Sequence, residues 1–348
     1  MATELHSTSL RARWFLIALA FLGAAVGLGV LMGPVQLGLS SALKELADRL
    51  PFVEVSSGLS EQQRAILWQL RVPRVVLAGL VGATLALAGA AYQGVFRNPL
   101  ADPYLLGVAA GAGLGATIAI TLELGALDWP VDPLPAAAFV GALVGVTMTY
   151  MLGRTNARGR TTATLILAGV ATASFLTAIQ TYVQQREDDT LRQVYSWILG
   201  QLTTASWSEV ALVLPYLLVS ATTILLHRRL LDMLSVGDEE AASLGVNTQR
   251  VRLLIVLAAS LGTAAAVAVS GLIGFVGVIV PHTVRLLFGT SYRLVIPLSI
   301  LFGAAFLILA DLLGRSLIAP TEIPIGVITA FLGAPFFLIV LRRSGRAT

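Results

Sequence analysis

Cysteine is absent from this chain, and Lys44 is its only lysine. The first absence excludes disulfides, thiolate metal sites and a cysteine nucleophile. The second excludes a nucleotide-binding P-loop, which needs Gly-Lys-Ser/Thr so that the lysine ammonium reaches the phosphates; Lys44 is followed by Glu45. Histidine is scarce: His6, His227 and His282 each stand alone, which offers no chelating cluster and reads as structural. Charge is short as well. Asp, Glu, Lys and Arg make up 12% of the chain, about half the ~25% of an ordinary soluble domain. No paired carboxylates and no nucleophile–base set share one apolar region, so catalysis has little to stand on.

What fills the 348 residues is apolar: 56% hydrophobic, with a mean hydropathy of +0.84. A run of about 20 such residues crosses ~30 Å of hydrocarbon, and the sequence holds many. The reading is an all-α, polytopic membrane protein of about ten transmembrane helices, one domain over residues 1–348 with no soluble linker. The expected spans are Trp14–Gly33, Pro73–Phe96, Tyr104–Leu122, Leu134–Gly153, Thr162–Val183, Ser208–His227, Val251–Ser270, Leu272–Phe288, Val295–Gly314 and Ile323–Leu341. The first is too long for a signal-peptide core. Leu39–Leu50 and Leu191–Leu199 are amphipathic and short, as expected of helices lying at the membrane surface.

Ten spans put both termini on one side. Of the 23 basic residues 22 are arginine, scattered between apolar runs rather than gathered into a nucleic-acid-binding patch. With the termini in the cytoplasm, 15 basic residues fall inside and 8 outside, while the acids divide 6 and 13. That basic bias fits the positive-inside rule and a multi-pass protein of the cell membrane, with lipid as its surroundings. Spans two to five then start outside and spans seven to ten start inside, so a four-helix repeat would have to be inverted.

Small residues recur at helix-contact spacing: Gly82, Ala86, Ala90 and Gly94 on one span, Gly107, Gly111 and Gly115 on the next. Positions four apart share a helix face, so each strip lets another backbone approach. Two readings remain open, packing alone or packing plus the wall of a wide solute pathway. Ionisable residues inside the spans are few. Asp311, with Arg315 one turn on, is the best candidate for an ion relay such as a secondary transporter needs. Without a relay or an internal ATPase, uphill transport needs an external motor. The stretch Arg228–Arg252 offers it a dock: Asp238 as N-cap, Glu239 and Glu240 in the first turn, and Gly245 as the stop define a short helix Asp238–Leu244 between two spans.

Several motifs carry a family resemblance. Arg71-Val-Pro-Arg74, Gly89-Ala-Ala-Tyr-Gln93-Gly, Asn98-Pro-Leu-Ala-Asp-Pro103, Leu106-Gly107-Val, Gly274-Phe-Val-Gly-Val-Ile-Val-Pro-His-Thr-Val-Arg285, Ala310-Asp311 and Glu322-Ile-Pro-Ile-Gly326 follow one another in the order of the permease family of type II ABC importers. That family carries iron–siderophore complexes, haem or cobalamin. The resemblance, from about Trp14 to Arg343, implies a homodimer with its pathway on the two-fold axis, two ATPase subunits and one extracytoplasmic binding protein, with no cofactor or metal held by this chain. It implies that Asp238, Glu239, Glu240, Ala241, Ser243, Leu244 and Gly245 meet the ATPase. By the same resemblance, Arg71, Arg74 and Arg315 receive acidic residues of the binding protein, and Thr161, Thr162 and Thr164 narrow a cytoplasmic gate. Gln93 stands with the pathway or packing residues.

Overall fold

The computed structural model describes residues 2–33, 35, 37–49, 56–126, 132–153 and 162–344. The first helix, α1 (Ala2–Leu31), starts earlier than expected because the polar N-terminal segment continues it. The amphipathic α2 (Leu39–Asp48) follows. Its Glu45 is buried, accepts hydrogen bonds from Ser57 Oγ and Trp68 Nε1, and pairs with Arg64 at 3.1 Å. Those partners, Ser57 foremost, hold its carboxyl below the usual range.

Next come α3 (Glu61–Ala65) and α4 (Val72–Phe96), joined by a π-helical turn, Ile66–Arg71. Pro73 explains the turn. It has no N–H and its ring crowds the carbonyl four residues back, so the ladder widens and Val72 N–H bonds Leu67 O. The chain continues through α5 (Val108–Thr121), α6 (Pro133–Gly153), α7 (Thr162–Arg186), α8 (Leu191–Ile198) and α9 (Trp207–Val236). After α10 (Asp238–Ser243) come α11 (Thr248–Ser270), α12 (Val276–Phe288), α13 (Tyr292–Ser316) and α14 (Ile325–Ser344). Seven described helices have the length and apolarity to cross a membrane, and three shorter apolar helices, Val108–Thr121, Val276–Phe288 and Ile325–Val340, bring the total to ten.

Element lengths expose the repeat. Helices α4 to α7 run 25, 14, 21 and 25 residues; α11 to α14 run 23, 13, 25 and 20. In each set the second helix is short, because non-helical chain re-enters the bundle before it. Here the sequence reading needs correcting: the span expected from Tyr104 begins in a 3-10 turn, Pro103–Leu106, and that expected from Leu272 begins as irregular chain, and their α-helices start at Val108 and Val276. The two re-entries meet. Tyr104 hydroxyl donates to Ile273 O and accepts from Ile273 N–H, both at 3.0 Å, which satisfies backbone that has neither helix nor water. Packing is exchanged between the sets, α4 lying on α13 and α11 on α6. Arg97, just past the end of α4, lies 3.8 Å from Asp238, and Arg252 near the start of α11 bonds the same carboxylate. The first helices of the two sets therefore run in opposite directions, as an inverted repeat requires.

The small-residue strips are covered within the chain. A Cβ on Gly111 would stand 2.1 Å from Gly141 O and one on Gly115 2.1 Å from Ala137 O, both on α6. A Cβ on Gly82 would stand 2.2 Å from Gly303 O of α13, while Ala86 and Ala90 are fully buried. Gly94 abuts Tyr292, and Gly107 lies against Thr149 and Thr172. Gln93, also buried, donates to Gly277 O at 3.0 Å and accepts from Arg285. Within the chain, then, each strip serves helix packing. Gly111→Leu should therefore force α5 from α6, costing at least the ~1–3 kcal/mol of an overpacked core. Gly23→Ala, whose Cβ meets nothing within 4 Å, should leave thermal stability in detergent unchanged or slightly raised. Equal melting of the two variants would refute this account of the strip.

Candidate functional site

Two groups of polar residues lie at opposite ends of the bundle, one around α10 and one around the last turn of α1. Helix α10 is too short to form alone, and four local features impose it. Gly237 precedes it at φ 155°, and a Cβ there would fall 1.8 Å from Glu240 Oε2. Gly245 follows at φ 83°, where Gly245 N–H bonds Ala242 O and Val246 N–H bonds Ala241 O. That pair closes the helix in a Schellman stop. Ala241 is wholly buried, and Asp238 accepts from Arg252 Nη2 at 3.0 and 3.2 Å.

The N-cap assignment needs one correction. Gly237 occupies that position, and Asp238 spends its carboxylate on Arg252 rather than on the helix's own amides. Glu239, Glu240, Ser243 and Leu244 face solvent, Leu244 at 64% exposure. The 30 residues of α9 extend about 45 Å, against ~30 Å of hydrocarbon. Helix α10 is thus carried beyond the apolar slab as a rigid knob with an acidic and apolar face.

At the other end, Arg74 is fully engaged. Its Nε and Nη2 donate to Asp311 at 2.9 and 2.7 Å, and its Nη1 and Nη2 donate to Glu322 at 2.9 and 2.8 Å. Arg315 pairs with Asp311 at 3.4 Å, one turn away on α13, and donates to Gly29 O. Arg71 donates to Val30 O and Leu31 O at 3.4 Å and to Val35 O. Two guanidiniums therefore cap the C-terminal carbonyls of α1, the negative end of its dipole.

A guanidinium that receives a partner's carboxylate has to reach solvent. Arg71 and Arg315 are 4% and 2% exposed, whereas Arg74 and Glu322 border a cleft of about 170 Å³ with Ser196, Gln201 and Thr203. Beside that cleft, α8 and its following turn lock two helices together. Gln201 N–H bonds Ser270 O, and Leu199 and Gly200 carbonyls accept from Gly326 and Ile325 at the start of α14.

Of the gate residues, Thr161 lies outside the described residues, Thr162 opens α7, and Thr164 is half-buried. A feature missed by sequence reasoning lies further along α7. Ser174, Thr177, Thr181 and Gln185 are all exposed and fall within an arc of about 80° at 100° per residue. A lipid-facing helix has no use for such a row; the spacing i, i+3, i+7, i+11 was the signal available to find it.

A bundle of ten apolar helices built as an inverted repeat, with one short helical knob beyond the slab, is the architecture of a multi-pass membrane permease. The chain belongs to the FecCD transport family, whose pattern matches residues 15–343. It is 41% identical over 335 residues to the uncharacterized ABC transporter permease protein YvrB of Bacillus subtilis, covering 95% of this chain and 94% of that protein. It is 43% identical over 286 residues to the cobalamin import system permease protein BtuC of Halobacterium salinarum, covering 82% and 75%. Among solved structures, an inward-facing metal-chelate type ABC transporter superposes with a TM-score of 0.82 at 27% identity, covering 95% of this chain and 99% of that one. The chain is thus the channel-forming subunit of an ABC importer, a class that implies an ATPase and a substrate-binding partner.

Proposed function

We propose that two copies of this chain enclose a pathway on their two-fold axis, through which a metal chelate, an iron–siderophore complex or haem, enters the cell. Two separate ATPase subunits press on α10 from the cytoplasm, and one extracytoplasmic binding protein delivers the solute to the end bearing Arg74. The observation that carries this reading is α10: a knob locked by Gly237, Gly245, Ala241 and the Asp238–Arg252 pair, offering Glu239, Glu240 and Leu244 to a partner. The chain brings no P-loop of its own to that face, since its single lysine sits on α2, before a glutamate.

The basic bias of 15 against 8 supports a cytoplasmic α10 and cytoplasmic termini. The exposed row Ser174, Thr177, Thr181 and Gln185 suits α7 to a wet surface between the two copies. Below it, Thr161, Thr162 and Thr164 would narrow the exit. At the outer end the binding protein would engage Arg74 and Glu322 at their cleft, while Arg71 and Arg315 fix the seat by anchoring α1. Metal-chelate transport is the description of the superposable structure, and cobalamin that of the archaeal relative; cobalamin is the second solute to test. The clamp around Asp311, 2% exposed and held by two arginines, argues against its use as a proton relay.

Sealed vesicles containing permease, ATPase and binding protein test the reading. Uptake of the iron chelate should require ATP and all three components and should ignore a proton gradient. Charge reversal at Arg74 should weaken docking of the binding protein, as should added salt. Uptake driven by a proton gradient without ATP would give the chain to the secondary transporters, and cobalamin uptake in place of iron would reassign the solute.

A further inference from the structure

We infer that the chain holds an anionic phospholipid in a cleft formed by α1, α9 and α13 at the α10 end of the bundle. The cleft has a volume of about 440 Å³. Arg228, Arg229 and Arg293 line it together with an apolar floor drawn from Phe15 of α1, Leu225 of α9, and Leu294 and Pro297 of α13. Three guanidiniums around an apolar cleft match a phosphodiester over acyl chains: the planar forks bind phosphate oxygens and the hydrocarbon covers the floor.

The local counter-charge is largely committed. Asp232 lies 3.6 Å from Arg293, but its Oδ1 accepts Tyr292 N–H at 2.6 Å and its Oδ2 accepts Ser291 Oγ–H at 3.0 Å, holding the start of α13. Among the described residues neither Arg228 nor Arg229 has an ion-pair partner. Depth agrees. Trp207, the first residue of α9, is half-exposed where an indole belongs at the interface. Arg228 lies roughly 32 Å further along that helix, about one hydrocarbon thickness away, which sets it among the phosphates of the opposite leaflet. Basic pockets between helices at that level bind anionic headgroups.

The site also has a mechanical setting. A lipid clasped there would join α13 to the part of α9 that leads into α10, bracing the arm on which the knob sits. Assigning that leaflet to the cytoplasm rests on the proposed orientation; the binding itself does not.

Native mass spectrometry of the full chain tests the inference, with phosphatidylglycerol, phosphatidylcholine and inorganic phosphate as separate probes. Wild type should retain phosphatidylglycerol over phosphatidylcholine. R228Q/R229Q should weaken that retention roughly fivefold per arginine removed, R228K/R229K should keep most of it, and R342Q, a charge loss elsewhere on the same end, should change nothing. Melting curves of all variants exclude misfolding as the cause. Equal retention by wild type and R228Q/R229Q, or no preference for the anionic lipid, would overturn the proposal. Displacement by millimolar phosphate would make this a site for free phosphate, and loss of the lipid on adding the ATPase would give the cleft to that partner.

Discussion

Replacing Glu239, Glu240 and Leu244 together by alanine should leave a folded permease that no longer draws on the ATPase. These side chains are exposed, and although Glu239 and Glu240 favour the first turn of α10, its main supports lie elsewhere. Gly237, Gly245, buried Ala241 and the Asp238–Arg252 pair remain, so α10 keeps its shape. What is lost is a desolvated apolar contact and two carboxylates. Truncating a single interface anchor costs ~2 kcal/mol or more, so loss of even one here should weaken ATPase binding at least about 30-fold. Transport-coupled hydrolysis should fall in proportion at limiting ATPase. Asp238→Asn should act differently: it loosens Arg252 and tilts the knob, so coupling fails while part of the affinity remains. Comparing ATPase affinity with hydrolysis per solute moved separates the two. Unchanged coupling in the triple variant would remove α10 from the mechanism.

The second large effect lies at the other end. Arg74→Met should destabilise the chain by roughly 3 kcal/mol, the low end of what breaking a buried ion pair costs. The removed guanidinium makes charge-assisted bonds to two carboxylates. Asp311 is 2% exposed and, among the described residues, keeps only Arg315 at 3.4 Å as an ion-pair partner, while Glu322, at 30%, regains water. Most of the cost therefore arises at Asp311. Arg74→Lys keeps the charge but cannot serve both carboxylates through a fork, so its loss should be intermediate. Arg71→Met should act through α1 instead, by releasing the carbonyls of Val30, Leu31 and Val35. Thermal melts in detergent rank the three. A silent Arg74→Met would mean the clamp contributes nothing.

Much of this architecture was legible in the sequence because lipid imposes long apolar runs and punctuates them with charge. Leu39–Leu50, Leu191–Leu199 and Asp238–Leu244 were each read as short helices from amphipathicity or from a terminal glycine, and each is one. Two features were hidden for stated reasons. The re-entries before Val108 and Val276 contain no charge, so hydropathy read them as helix, and what satisfies them is the hydroxyl of Tyr104 meeting Ile273 far along the chain. The environment of the arginines was hidden too. Arg71 and Arg315 flank expected spans and carry charge, which suggests exposure, but the α1 carbonyls they cap lie 40 and 41 residues away for Arg71 and 286 for Arg315. Spacing along one helix cannot reveal a partner supplied by another. The strips on α4 and α5 are visible in the sequence, but their covering by α13 and α6 is not, because the covering backbone comes from distant segments.

The absence of native cysteine allows the central claim to be tested at one atom. A single Glu240→Cys thiol should be labelled by a membrane-impermeant maleimide only from the cytoplasmic face, and assembly with the ATPase should protect it and allow a cross-link. Labelling from the external face, or a thiol equally reactive with the ATPase bound, would contradict the assignment of α10 as the point where work enters this permease.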